Sequence, residues 1–384
     1  MSETGQKKSP PLEISCSRQL LPWLYEQHIS LAFTTYQTNR LFLIGLKPNG
    51  VLSIFERLFD RPMGLYVTPD RFYMGCRFQL WQLDNALPAG ETHNDYDALY
   101  IPRLAHTTGE LDIHDLGVTD TQKIVFVNTS YSCLATVSDR YSFAPVWKPD
   151  FISKLAPEDR CHLNGLAMVK EKPVYVSAIS RSDVAAGWRN QRDRGGCIIN
   201  IQNNRIVVDG LSMPHSPRWY RDRLWVLNSG LGEFGYIDRK AGKFQAIAFC
   251  PGYLRGLAFW DKWAIVGLSK PRGDRMFTGL PLDDLLAAKN AAPGCGLMFI
   301  NLDTGNIDHW MQMEGVVTEL YDVQIIPQIR RPMALGFMTD EICKWITIAP
   351  TLKTREKRKS QPNNTQETIK KAPQQGEVFP FISS

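Results

Sequence analysis

The chain has 384 residues, 43% hydrophobic and 22% charged, with 28 glycines and 24 prolines, which excludes a collagen-like, coiled-coil or wholly disordered protein. Its net charge is +5, but seven basic residues against three acidic ones in residues 351–384 account for +4 of that. The remaining body is nearly neutral and offers no general electrostatic footprint for nucleic acid.

Taken from the start, residues 1–14 are polar, with Lys7 and Lys8 and no apolar run behind them. They are expected to be a disordered segment and not a signal peptide, which places the protein in the cytoplasm. Residues 30–67 then read as short strands (SLAFTTYQ, RLFLIGLKPNGVLSIFERLF, RPMGLYV) separated by turn signals. The same grammar recurs from His215 to Leu257 and again in GLMFINLDTGNIDHW from Gly296, where DTG makes the tight turn. Polar excursions at 84–97 and 269–293 read as insertions, the second with a short surface helix in LPLDDLLAAKN. The longest apolar runs, such as Trp263 to Leu268, are strand-sized, so no membrane span is expected. Residues 351–384, rich in Gln, Asn, Lys and Pro, are expected to be a disordered basic tail. Eight dispersed cysteines without a C-x-x-C pair argue against a zinc ribbon or thioredoxin-like site.

Aligning the strings that begin each unit decides the architecture. RPMGL from Arg61, DIHDL from Asp112, HLNGL from His162, MPHSP from Met213, YLRGL from Tyr253 and ELYDV from Glu319 superimpose, with steps of 51, 50, 51, 40 and 66 residues. Six such units of about 40–50 residues, each a four-stranded sheet, predict an all-β, six-bladed β-propeller over residues 15–350. The N-terminal part lacks a first strand and residues 319–327 supply one alone. One blade built from both ends therefore closes the ring.

NGLA, GLSMPHSPRWY, LWVLNSG, LRGLAF, VGLSKPR and ELYDV, in that order over residues 15–332, resemble a family of bacterial conserved hypothetical proteins. That family carries a domain of unknown function and is related to six-bladed NHL or SMP-30-like propellers. The resemblance implies fold and family only. SMP-30-like hydrolases hold a divalent metal through carboxylate and amide ligands at the channel mouth. This sequence has histidines there, so lactonase chemistry does not carry over.

First strands of propeller blades line the channel, and side chains two apart share a direction. The third aligned position gives a ring of Met63, His114, Asn164, His215, Arg255 and Tyr321; the first gives Arg61, Asp112, His162, Met213, Tyr253 and Glu319. Three histidines, two arginines, two carboxylates and an amide in a concavity need partners or a ligand. His114, His162 and His215 can be read as ligands of a divalent metal ion, with Glu319 as fourth ligand or general base. Arg255 would then hold a carboxylate or phosphate. A metal-free pocket and purely structural channel lining are the two other readings of the same rings. Asp115 and Asp322, one position on, either tie blades together or fix a histidine tautomer. Asn164, Tyr321 and Arg61 are candidate ligand-binding groups. So are Lys270 and Arg272, which open the largest insertion, while the loop around Gly187, Trp188 and Arg189 suggests an arginine-bearing lid suited to an anion. The function expected is an enzyme or a small-molecule or peptide binder at the channel mouth. The other class is a protein-interaction scaffold using outer faces.

Overall fold

The structure, a computed structural model, describes residues 11–271 and 279–348. Arg272 and the basic tail at 351–384 lie outside the described residues.

Short runs rich in Val, Ile, Leu and aromatics pair with their sequence neighbours through hairpins. The hairpin tips turn on residues in the left-handed region, among them Asn39, Asn204 and Gly305. Six sheets result, the blades of a propeller. Blade one is the closing blade: Val323–Pro327 pairs with Ile29–Thr35, followed outward by Arg40–Leu46 and Leu52–Leu58. The innermost strands of blades two to six are Leu65–Val67, Ile113–Val118, Leu163–Val169, Pro214–Tyr220 and Tyr253–Trp260. Strands near the axis are buried on both faces, as in Ile29–Thr35 and Ile124–Asn128. Outer strands expose alternate residues, Ile54, Glu56 and Leu58 for example. No helix among the described residues is long and apolar enough to cross a membrane.

Two blades gain a fifth, outermost strand. Pro332–Ala334 runs parallel to Ala98–Thr107, and Glu13–Cys16 runs antiparallel to Ile307–Glu314. Each covers an edge that would otherwise be open to another chain. Glu13 and Ile14, assigned from the sequence to a disordered segment, are therefore strand residues paired with Glu314 and Met313. Their backbone groups complete an edge, a role that leaves little hydrophobic trace in the sequence.

Hydroxyl groups stitch the blades. Thr34, Thr129, Ser229 and Ser269 donate from near the end of one blade's second strand to the carbonyls of Met63, Leu163, Leu254 and Leu320 near the start of the next. The position after the ring residue alternates between polar residues and glycine. Asp322 accepts from the Leu65 amide, Asp115 from the Leu166 amide and Ser216 from the Gly256 amide. The glycines leave room for those neighbours: a Cβ on Gly64 would lie 2.9 Å from Asp115 Cα, and one on Gly165 2.3 Å from Pro217 Cδ. Real side chains do not pack that closely, so glycine is required where adjacent innermost strands nearly touch.

Arg218, three residues beyond the ring, fills the axis. It reaches Asp115 at 2.6 Å and Asp322 at 3.5 Å, and donates to the carbonyls of Leu166, Pro217 and Leu257. The axis is thus bridged beyond the ring by one guanidinium whose partners come from five of the six blades.

The second of the insertions read from the sequence packs against the loop after the second strand of blade four. The loop containing Gly187–Gln191 and the helix Pro281–Ala288, in the stretch read as helical from sequence, share a small core. Trp188, Leu280, Leu282 and Leu286 pack there on Ile179, Met213 and Tyr253.

Candidate functional site at the channel mouth

All six third-position residues are buried, none more than 8% exposed. Their innermost strands are irregular at this level: pairing skips between Leu163 and Gly165, between His215 and Arg218, and between Leu254 and Leu257. Such bulges re-aim side chains relative to a regular pleat. The first-position residues do not form a second ring by strand alternation. Arg61, Asp112, His162 and Met213 precede their strands and have φ of 47°, 56°, 50° and 49°. A left-handed backbone repeated in four blades at non-glycine residues is costly and persists only where its surroundings enforce it.

That backbone fixes the imidazoles. His114 Nδ1 lies 2.9 Å from the Asp112 carbonyl, and His215 Nδ1 lies 2.8 Å from the Met213 carbonyl. A carbonyl only accepts, so Nδ1 carries the proton in both rings and Nε2 is left with its lone pair. The Asn164 amide Nδ2 donates to His215 Nε2 at 2.9 Å. Burial pushes His114 down to about 4. Burial, then the Arg255 charge, holds His215 well below the ordinary histidine range. Both are neutral at neutral pH.

His162 is different: its side chain is 12% exposed and its Nδ1 faces the Asp159 carboxylate at 2.9 Å. Trp188 Nε1 donates to the same oxygen at 2.7 Å, and the Trp188 ring lies over His162 with centroids 4.2 Å apart. Burial alone would raise Asp159. The His162 charge and the hydrogen bonds from His162 and Trp188 outweigh it and keep the carboxyl below its usual range. On its other side His162 meets His114 edge-to-face at 4.9 Å.

Across the mouth, the Arg255 guanidinium sits among the rings of Tyr36, Tyr253 and Tyr321 at 5.4, 5.1 and 5.2 Å. It donates to Tyr36 Oη at 2.9 Å and lies 3.5 Å from Glu319, which also accepts from Tyr36. Tyr321 packs edge-on against His114 at 5.4 Å. Its buried hydroxyl has no hydrogen-bond partner among the described residues.

The structure therefore gathers His114, His162, His215, Asn164, Arg255, Glu319 and Tyr321 around one mouth, with Arg61 on its rim beside Glu110 and Asp112. The partners of Asp115 and Asp322 among the described residues are backbone amides and Arg218. The Lys270 amide is tied to the Thr318 carbonyl next to Glu319. Among the described residues no group of three or more His, Cys, Asp or Glu side chains could hold a metal ion. His215 Nε2 accepts from Asn164 and its ring meets Tyr253 edge-on, while His162 meets His114. Sequence reasoning missed Tyr36, Asp159 and Arg218; of the Gly187 loop it singled out, Trp188 is the buried side chain that reaches Asp159 and His162. Asp159 stands three residues before His162, a signal visible only once the turn between them is known.

A six-bladed propeller with a buried polar ring at one mouth is the class of protein that this fold and site define. The chain belongs to the family described as Domain of unknown function (DUF4915), whose model matches residues 18–335. No match was found among curated proteins. Among solved structures, a chain of a nidogen/laminin complex is similar at 10% identity, covering 78% of this chain and 99% of that one, with a TM-score of 0.48. A virginiamycin B lyase from Staphylococcus aureus is similar at 9% identity over 79% and 99% of the two chains, with a TM-score of 0.38. The designed protein Ika8 is similar at 11% identity over 81% and 77%, with a TM-score of 0.33. These scores carry no functional argument; the fold stands on the sheet topology above.

Proposed function

We propose that the channel mouth binds a small polar molecule and acts on it by metal-free acid–base chemistry. The observation that carries this reading is the Trp188–Asp159–His162 chain, which orients one partly exposed imidazole against a buried ring of neutral histidines. With Nδ1–H held by Asp159, His162 Nε2 is the group able to take a proton, and the carboxylate stabilises the imidazolium that forms. The Tyr321 hydroxyl, lacking a partner, is available to donate to a developing oxyanion. Arg255 and Glu319 are committed to each other and to Tyr36 and serve as the wall that positions Tyr321.

The test uses wild-type and His162→Ala protein incubated with a small-metabolite extract and analysed by mass spectrometry. At least one compound is expected to be retained or consumed by the wild type. Its turnover should fall by about 10²–10⁴-fold in His162→Ala, the usual worth of a positioned general base. Identical profiles for the two proteins would contradict the proposal and return the protein to the scaffold class.

A further inference from the structure

We infer that the molecule bound at this mouth presents a primary amine, held as an ammonium ion, and not the anion that arginine-rich loops suggest. The inference rests on the mouth being a small-ligand site and concerns which chemistry it selects. Every imidazole at the mouth has its Nδ1 proton committed: His114 to Asp112, His215 to Met213, His162 to Asp159. The Asn164 amide N–H is committed to His215. What stays uncommitted among the described residues is the accepting side: Nε2 of His114, Nε2 of His162 with its Nδ1 proton on Asp159, and Oδ1 of Asn164. The unpartnered Tyr321 hydroxyl, itself 94% buried (6% exposed), belongs to the same group.

The charges lean the same way. Arg255 is matched by Glu319 and Arg61 by Glu110 and Asp112, whereas Asp159 faces no lysine or arginine among the described residues. Arg189, one of the loop's arginines, lies over the Trp188 ring at 4.7 Å, and the Trp188 side chain is fully buried. An anion entering here would meet lone pairs and leave them unsatisfied, which is costly in a buried site. An alkylammonium brings three N–H donors for these acceptors.

The test uses full-length protein with ¹⁵N-labelled histidine at fixed pH 7.5 and simple probes: ethanolamine and glucosamine on one side, acetate and inorganic phosphate on the other. Saturable shifts of the His114 and His162 Nε2 resonances are expected with the amines and not with the anions. Affinity should drop about tenfold or more in Asp159→Asn, which removes the carboxylate on His162, and in Tyr321→Phe, the latter removing only an unpaired hydroxyl and so leaving the fold intact. Shifts with acetate or phosphate and none with amines would overturn the inference while leaving a small-ligand site in place. Silence of both resonances to every probe would overturn the inference and the small-ligand reading together.

Discussion

Replacing Arg218 with methionine is expected to lower unfolding stability by about 3–5 kcal/mol at pH 7.5. The side chain is the single cation paired with both Asp115 and Asp322 among the described residues, and its nitrogens also donate to three backbone carbonyls at the axis. Methionine keeps much of the volume but leaves two buried carboxylates facing one another, the situation in which an unpaired buried charge costs most. Arg218→Lys should fall between the two, because an ammonium cannot reach both carboxylates and three carbonyls at once. Burial raises Asp322 above the ordinary carboxylate range even with Arg218 present. The methionine variant should accordingly recover part of its loss at pH 5, where a carboxyl can take up a proton. Urea unfolding at the two pH values measures this; a loss under about 1 kcal/mol at pH 7.5 would mean that Arg218 is not the axial clasp.

The second large effect is acid sensitivity originating in the ring. His114 and His215 are depressed by burial in the folded protein, while in the unfolded chain they titrate near ~6.5. The unfolded state therefore binds protons first as pH falls. The stability these two groups confer is complete above that value and is withdrawn as pH drops toward the folded midpoints. Each withdraws about 1.4 kcal/mol per pH unit in that window. Asp322, raised in the fold, works in the opposite sense: its contribution is complete at low pH and lost as pH rises through its folded midpoint. Comparison with a His114→Asn, His215→Asn double variant isolates the histidines. Between pH 6 and 4.5 the wild-type stability curve should be steeper than that of the variant by about 2.7 kcal/mol per pH unit, two protons' worth. Parallel curves would show that the rings are accessible and protonate freely.

The fold was legible because its unit repeats where the chain cannot vary freely. Gly64, Gly165 and Gly256 sit where neighbouring strands nearly touch, and Asp322, Asp115 and Ser216 supply the hydrogen bonds between them. That alternation left the alignable strings. The ring was legible for the same reason, since His114, Asn164, His215, Arg255 and Tyr321 occupy one register position. The partners that give the ring its chemistry were not. Asp159 and Trp188 reach His162 from an irregular loop, Tyr36 arrives from the closing blade, and Arg218 lies past a bulge that breaks strand alternation. Left-handed residues such as His162 and Asp112 have no sequence signature when they are not glycine. Strand periodicity therefore predicted the right neighbourhood and the wrong mechanism for reaching it.

The most direct test of the central claim, that residues far apart in sequence lock one ring of neutral, Nδ1-protonated imidazoles at the channel mouth, is long-range ¹H–¹⁵N NMR of the histidines in untagged protein at pH 6. His114 and His215 are predicted to show the Nδ1–H tautomer, uncharged, with a through-space contact between the rings of His114 and His162. An Nε2–H tautomer, a charged ring at His114 or His215, or the absence of any His114–His162 contact would contradict it.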